Sequence, residues 1–433
     1  TMEEKKEIKR ENSSGNKSGR QEKGAAQNRE AIRKGVLRAE IIRLLTGFVE
    51  IPSVNPGDHA IDEDPVFGEK EYVRHVRKLM AEKGYYCSEQ EVLPGRTNLL
   101  ISTSKMPGSK PIILLQTHSD VVDAKEMEQA FCARAEQGRI RGRGSCDAKG
   151  QLCAMILALE QLREKHGNLP FDICIALCCD EEFRHRGVDE FLDWEHRDKV
   201  AAVIVGEPPE LRLAAACKGS IRFRIETTGV AAHTSTPEKG VNAIYLMAEI
   251  IRIIQEKIEA QIVCRKDARC GSASIAVSLI EGGRIVNAVP DHCAIHVDRR
   301  MIPGEHWEEV YREIQSIILE NLNEEDQERV VFGAPYLIDP AYGAQLPEHL
   351  ESGMQEVMQK HGLETEIAGL PYGCDASKLA KWDIPVFVFG PGSIDQAHTR
   401  EEYIEISQIE TAAAVLKDMI LRAAEEGIDE ILR

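Results

Sequence analysis

Short apolar runs punctuate this chain at Asn98–Ser102, Ile112–Gln116, Ile173–Cys179, Val200–Val205 and Val386–Phe389. Runs this short and this rich in Ile, Val and Leu predict strands buried on both faces. Helical spacing lies beside several of them, at Phe67–Lys83, Lys149–Glu164 and Ile406–Ala423. An earlier helix is expected from about Arg29, with Ile32, Val36, Ile41, Ile42 and Leu45 as its apolar positions. It should stop before Ile51-Pro52-Ser53-Val54-Asn55-Pro56-Gly57, a loop by its Pro and Gly content. Strands alternating with helices predict an α/β sheet covered on both faces.

From about residue 212 to 334 the period changes. Ile221–Ile225 alternates like a half-exposed strand, and Val241–Ala260 carries Val241, Ile244, Ala248, Ile251 and Ile258 at helical spacing. Ser274–Ile280 and Cys293–Val297 alternate again, His306–Leu319 is helical, and Arg329–Phe332 is a last strand. The order strand–helix–strand–strand–helix–strand is that of a ferredoxin-like unit. The pattern thus predicts a main, site-bearing domain over 29–211 and 335–433, interrupted by an inserted α+β domain over 212–334. Residues 1–28 hold almost no large apolar side chain and form a polar extension that cannot bury a core. There is no internal repeat.

Composition narrows the function classes. At 433 residues, with 42% hydrophobic and 29% charged residues, this is an ordinary globular chain of more than one domain. A net charge of −18 argues against nucleic acid or an anionic membrane as the main partner. No apolar stretch approaches the roughly 20 residues that span a bilayer, and no signal-peptide pattern opens the sequence. Several of the twelve cysteines, such as Cys174, Cys178 and Cys179, sit inside apolar runs. There they behave as small hydrophobes, not as a disulfide scaffold. A cytoplasmic location is the expectation.

Chemistry-bearing residues gather at the ends of the predicted strands. His118 and Asp120 follow one run, Asp147 lies in Gly-Arg-Gly-Ser-Cys-Asp-Ala-Lys-Gly, and Glu181-Glu182 follow another run. Glu207 lies in Gly-Glu-Pro after a third, and His398 on the loop that leaves the last. Singly, each reads as a structural histidine or a solvated loop. Together they fall where open α/β sheets bind ligands, beyond the carboxyl ends of strands. Two histidines and several carboxylates, one able to bridge, are what a pair of zinc-like ions needs.

These stretches resemble the cocatalytic zinc hydrolase family of acetylornithine deacetylase, succinyl-diaminopimelate desuccinylase, aminoacylase and glutamate carboxypeptidase. The likeness runs from about residue 30 to the end. It rests on His-x-Asp-Val-Val, Gly-Arg-Gly-x-x-Asp-x-Lys-Gly, Asp-Glu-Glu, Gly-Glu-Pro, Asn-x-Val-Pro, Asp-x-Arg-x-x-Pro-Gly-Glu and Gly-Pro-Gly…Ala-His-Thr, in family order. The resemblance implies a mixed, zinc-peptidase-like sheet and an inserted domain that serves as lid and dimer contact. It implies one metal on His118 and Glu207, another on Glu182 and His398, and Asp147 bridging them. Asp120 would fix the tautomer and tilt of His118. Glu181 would be the general base that takes a proton from the attacking water. Chemistry alone allows the reverse assignment of Glu181 and Glu182; the family pattern decides it.

In the inserted domain, His233 matches a family histidine that reaches the opposite subunit's site. Asn287 matches the Asn-x-Val-Pro residue near substrate, and Arg300 the arginine that grips a substrate carboxylate. Strand parity sets Arg300 opposite Ile295 and Val297, whereas Arg299 shares their apolar parity. Two departures stand out. Asp123–Gln137 lacks the Pro and Trp of many relatives, and Cys374 stands where Thr or Ser is usual. The expected activity is removal of an acyl group from an N-acyl amino acid, in a homodimer with two zinc, cobalt or manganese ions. A dipeptidase or carboxypeptidase on the same metals is the nearest alternative, and a catalytically silent binding protein a more distant one.

Overall fold

The computed structural model describes residues 31–124, 126–165 and 169–425. The expected polar extension over 1–28 therefore lies outside the described residues. Residues 31–49 are helical. Ile41, Leu44, Leu45 and Phe48 are fully buried, but Ile32 and Val36 are exposed at 60% and 66%. The first turns of this helix run out beyond the core, so the apolar face inferred from the sequence reaches too far.

A nine-stranded mixed sheet forms the centre. Its heart is parallel, in the order Asp172–Cys178, Ile112–His118, Val200–Val205, Val386–Val388. Every position in these strands is buried. Neighbouring residues face opposite layers: Ile113 and Leu115 join the core beneath helices Lys149–Lys165 and Ile406–Glu425, while Ile112 and Leu114 join the core beneath Arg186–Phe191 and Ala376–Leu379. Burial on both faces is why these strands read as unbroken apolar runs.

The sheet's margins are antiparallel and less legible. Tyr86–Leu93 pairs with Arg96–Ser102 at one edge and is largely exposed, so Ser, Glu and Gln occupy a strand. Ala214–Cys217 is three alanines and a cysteine, residues of no β preference, yet it is wholly buried beside Val386–Val388. Among the described residues no helix is long and apolar enough to cross a membrane.

A second, five-stranded antiparallel sheet runs Ser274–Gly282, His292–Met301, Gly219–Thr228, Val330–Phe332, with Leu337–Asp339 also on Gly219–Thr228. Each helical crossover joins strands with another strand between them, the split order of a ferredoxin-like unit. One face packs on helices Ala243–Ile253 and Trp307–Glu320 through Ile221, Phe223, Ile225, Ile295 and Val297. Alternation along Ser274–Gly282 stops at a bulge between Val277 and Leu279, after which every residue is exposed.

The two sheets meet in a narrow neck. The chain leaves the central sheet at Cys217, enters the smaller one at Gly219, and returns from Asp339 to Tyr342. The two crossings run side by side, Tyr342 opposite Cys217 and Asp339 opposite Ser220. A Cβ on Gly219 would collide with the backbone of Asp339, Pro340 and Ala341, so only glycine lets them touch. The smaller sheet thus ends at Asp339 and not near 334, because Leu337–Asp339 still pairs within it.

Candidate metal centre

The parallel strands deliver their carboxyl ends to one spot. His118 ends its strand, Glu181 and Glu182 follow Asp172–Cys178, and Glu207 follows Val200–Val205. Asp147 opens the helix Lys149–Lys165, and His398 arrives on the loop after Val386–Val388, its φ of 63° in the left-handed region. His118, Asp147 and Glu182 hold ligand atoms within 4.8 Å of one another. His118 Nε2 lies 2.9 Å from Asp147 Oδ1, and His398 Nε2 lies 3.3 Å from Asp147 Oδ2 and 3.0 Å from Glu182 Oε1. Asp147 thus turns one oxygen to each histidine.

Asp120 is fully buried, but its contact with His118 differs from the one expected. The near acceptor for His118 Nδ1 is the Asp120 main-chain oxygen at 3.0 Å, with the carboxylate 3.7 Å away. The carboxylate accepts instead from the amides of Glu181 and Glu182, each at 3.1 Å, and from Asn55 Nδ2 at 2.6 Å. One residue therefore orients the histidine with its backbone and the two glutamates with its side chain.

Sequence reasoning missed the counterpart of Asp120 on the other side. Glu402 is fully buried and accepts from the amides of Gly144 (3.0 Å), Cys146 (2.9 Å) and Asp147 (3.2 Å) while pairing with Arg143 at 2.7 Å. Nothing local marks it: Glu401 beside it is exposed. Also missed was His185, whose Nδ1 lies 2.9 Å from Asp375 and 3.7 Å from Glu181. The Tyr372 hydroxyl is buried without a hydrogen-bond partner among the described residues.

The electrostatics are those of crowded anions. Burial pushes the carboxyls of Glu181 and Glu207 well above the ordinary range, and their neighbouring carboxylates add to it against the pull of His118. Burial also disfavours charge on His398, but hydrogen bonds to Asp147 and Glu182 outweigh it and raise the imidazole to about 11. A site that raises both its imidazoles and the carboxyls of Glu181 and Glu207 is one whose crowded anions call for positive charge. Two histidines, a carboxylate facing both, and surplus carboxylates fit divalent cations of the zinc kind.

Above the centre lies a cleft of about 420 Å³, lined on one side by Asp147, Glu181, Glu182, Glu207 and His398 and on the other by Ser220, Arg222 and Arg300 of the smaller sheet. Arg299 points the other way, fully buried, and pairs with Glu305 at 2.7 Å. His233 and Asn287 are not brought to the cleft. They sit together at another part of the inserted unit, both exposed, where His233 bridges Ala288 and the amide of Thr234 donates to Asn287 O at 3.2 Å.

Comparison with known proteins agrees with this fold. A probable succinyl-diaminopimelate desuccinylase of Staphylococcus aureus is 26% identical over 397 residues, covering 84% of this chain and 93% of the relative. An acetylornithine deacetylase of Buchnera aphidicola is 24% identical over 385 residues, covering 88% and 97%. The crystal structure of a Bacillus subtilis protein described as a dinuclear metal-binding peptidase superposes with a TM-score of 0.65 at 16% identity, over 90% of this chain and 99% of that one. Residues 114–422, most of the chain and all the strand ends that form the centre, match the peptidase family M20/M25/M40, and the chain belongs to that family of amide-bond hydrolases.

Proposed function

We propose that this protein is a dinuclear metal-dependent deacylase that hydrolyses the amide of an N-acyl amino acid. The observation that carries the reading is Asp147, with its two oxygens 2.9 and 3.3 Å from two histidines, one at a strand end and one on a loop. That is the geometry of a bridging carboxylate. In this assignment His118 and Glu207 complete one ion's ligands, and Glu182 and His398 the other's. Bound there, two divalent ions would acidify a water between them and polarise the scissile carbonyl.

The remaining work belongs to the chain. Glu181 ligates neither ion and stands beside a ligand, so its carboxylate takes the water's proton and returns it to the leaving nitrogen. Asp120 holds Glu181 and Glu182 in register through their amides and keeps His118 Nδ1 protonated, turning Nε2 inward. Arg300, on the facing wall, pairs with the substrate's α-carboxylate.

The smaller sheet serves as lid and dimer contact in this reading. Leu279, Ile280, Ile285 and Val286 are exposed at 58%, 58%, 63% and 100%, beside His233 and Asn287. A second copy of the chain covers such a patch and delivers His233 and Asn287 to the partner's cleft. Twelve free cysteines support a reducing, cytoplasmic setting.

Elemental analysis and a substrate screen test the proposal. The purified protein should hold two zinc, cobalt or manganese ions per chain, lose activity on chelation, and release amine from N-acetyl or N-succinyl amino acids. One tightly held ion with full activity would overturn the dinuclear assignment. Release from dipeptides alone would make the enzyme a dipeptidase.

A further inference from the structure

The cleft wall opposite the metal centre carries more positive charge than one α-carboxylate requires. Arg222 and Arg300 both line it. In the strand register Arg222 stands opposite Asp298 and Arg300 opposite Ser220. Asp298 receives Arg222 Nε at 3.1 Å, Arg300 Nη2 at 3.1 Å and Ser220 Oγ at 2.9 Å. One carboxylate therefore serves two guanidiniums, and the terminal nitrogens of Arg222 have no hydrogen bond to the described residues.

The next arginine along the same strand face shows what a plain surface pair looks like. Arg224 pairs outside the cleft with Glu226, which among the described residues is shared only with the imidazole of His292 and with no second guanidinium. Arg222 differs in sharing its carboxylate with a second guanidinium and in facing the site. A solvated strand needs no such surplus, whereas an anion-binding wall does.

We propose that Arg222 is a second carboxylate site, and that the amino acid released by this enzyme has an acidic side chain. Arg300 takes the α-carboxylate and Arg222 the side-chain carboxylate. Diagonal neighbours on adjacent strands stand about 7–8 Å apart at the backbone, a span that two guanidiniums reaching into one cleft can close on the two ends of aspartate or glutamate. Both groups rise from one sheet, so both carboxylates belong to the same half of the substrate. The acyl half lies beyond the scissile carbonyl. The proposal rests on the N-acyl amino acid reading above.

The test compares kcat/KM for N-acetyl-L-glutamate, N-acetyl-L-aspartate, N-acetyl-L-glutamine and N-succinyl-L-alanine, with metal-loaded wild type, Arg222→Gln and Arg222→Lys. Wild type should favour an acidic residue over glutamine by on the order of 10- to 100-fold, the size of a charge-assisted contact. Arg222→Gln should bring that ratio close to one, and Arg222→Lys should restore part of it. Equal rates on the glutamate and glutamine substrates, or a ratio unmoved in Arg222→Gln, would overturn the proposal. So would a preference for the succinyl compound that Arg222→Gln abolishes, since the second carboxylate would then be on the acyl half. Calorimetric binding of free L-glutamate and L-glutamine separates this inference from the deacylase reading. If no acyl compound is cleaved, glutamate binding that is tighter than glutamine and lost in Arg222→Gln still upholds the site, and indistinguishable binding removes it.

Discussion

Glu181 and Glu182 are adjacent in sequence, share the amide anchor of Asp120, and differ in what their carboxylates meet. Glu182 reaches His398 at 3.0 Å, whereas Glu181 lies 3.7 Å from His185. That difference supports the proposed roles, Glu182 as ligand and Glu181 as base, a choice that the sequence left to family pattern. Glu181→Gln should therefore keep both metals by elemental analysis and lose about 10²–10⁴ in kcat, the usual share of general-base catalysis. A fall in metal content as steep as the fall in rate would exchange the two roles. At this scale the cluster of histidines and carboxylates was legible because sheets present such side chains at strand ends. Glu402 was not, since a carboxylate that serves backbone amides from a distant loop has no local signature. Asp120 was half legible: its importance followed from position, but its bonds to the Glu181 and Glu182 amides required the fold.

Elements buried on both faces announced themselves in sequence, and Val200–Val205 was located without error. Edge and neck strands did not, because Tyr86–Leu93 is held by backbone pairing and Ala214–Cys217 by burial of small side chains. Helix Ile406–Glu425 illustrates how elements are pinned. Its Asp418 is nearly buried and meets Lys360 (3.0 Å), Lys417 (3.0 Å) and His361 (2.8 Å). Burial opposes its charge, but these partners prevail and lower the carboxyl to about 2 from an ordinary value of 3.8. A depressed carboxyl adds stability that is fully present above the unfolded value and fades as pH falls from about 4 towards 2. Asp418→Asn should cost on the order of 1–2 kcal/mol in urea unfolding at pH 7. The gap from wild type should narrow as the pH is lowered through 4. A gap that is constant with pH would show that packing, not charge, is what the residue supplies.

The whole molecule raises the question of what a single chain lacks. His233 and Asn287 lie apart from the cleft, within the exposed apolar patch proposed above as the dimer contact. Glu181→Gln and His233→Ala proteins should each be inactive alone. Mixed and allowed to exchange subunits, they should recover activity, since one heterodimer site would have both residues intact. A fully active monomer by light scattering, or no rescue after proven exchange, would show that His233 acts within its own chain or not at all.

The neck at Gly219 has a mechanical meaning. Its two crossings are antiparallel and in contact, so the two sheets are plates joined by a two-stranded strap. His118, Asp147, Glu182, Glu207 and His398 are all fixed to one plate, whereas Arg222 and Arg300 ride on the other. A change in the angle between the plates would move the arginines without altering any distance among the five. In the proposed reading, holding metal and gripping substrate therefore fall to different plates, and the gap between Arg300 and Asp147 would set the length of molecule held between them.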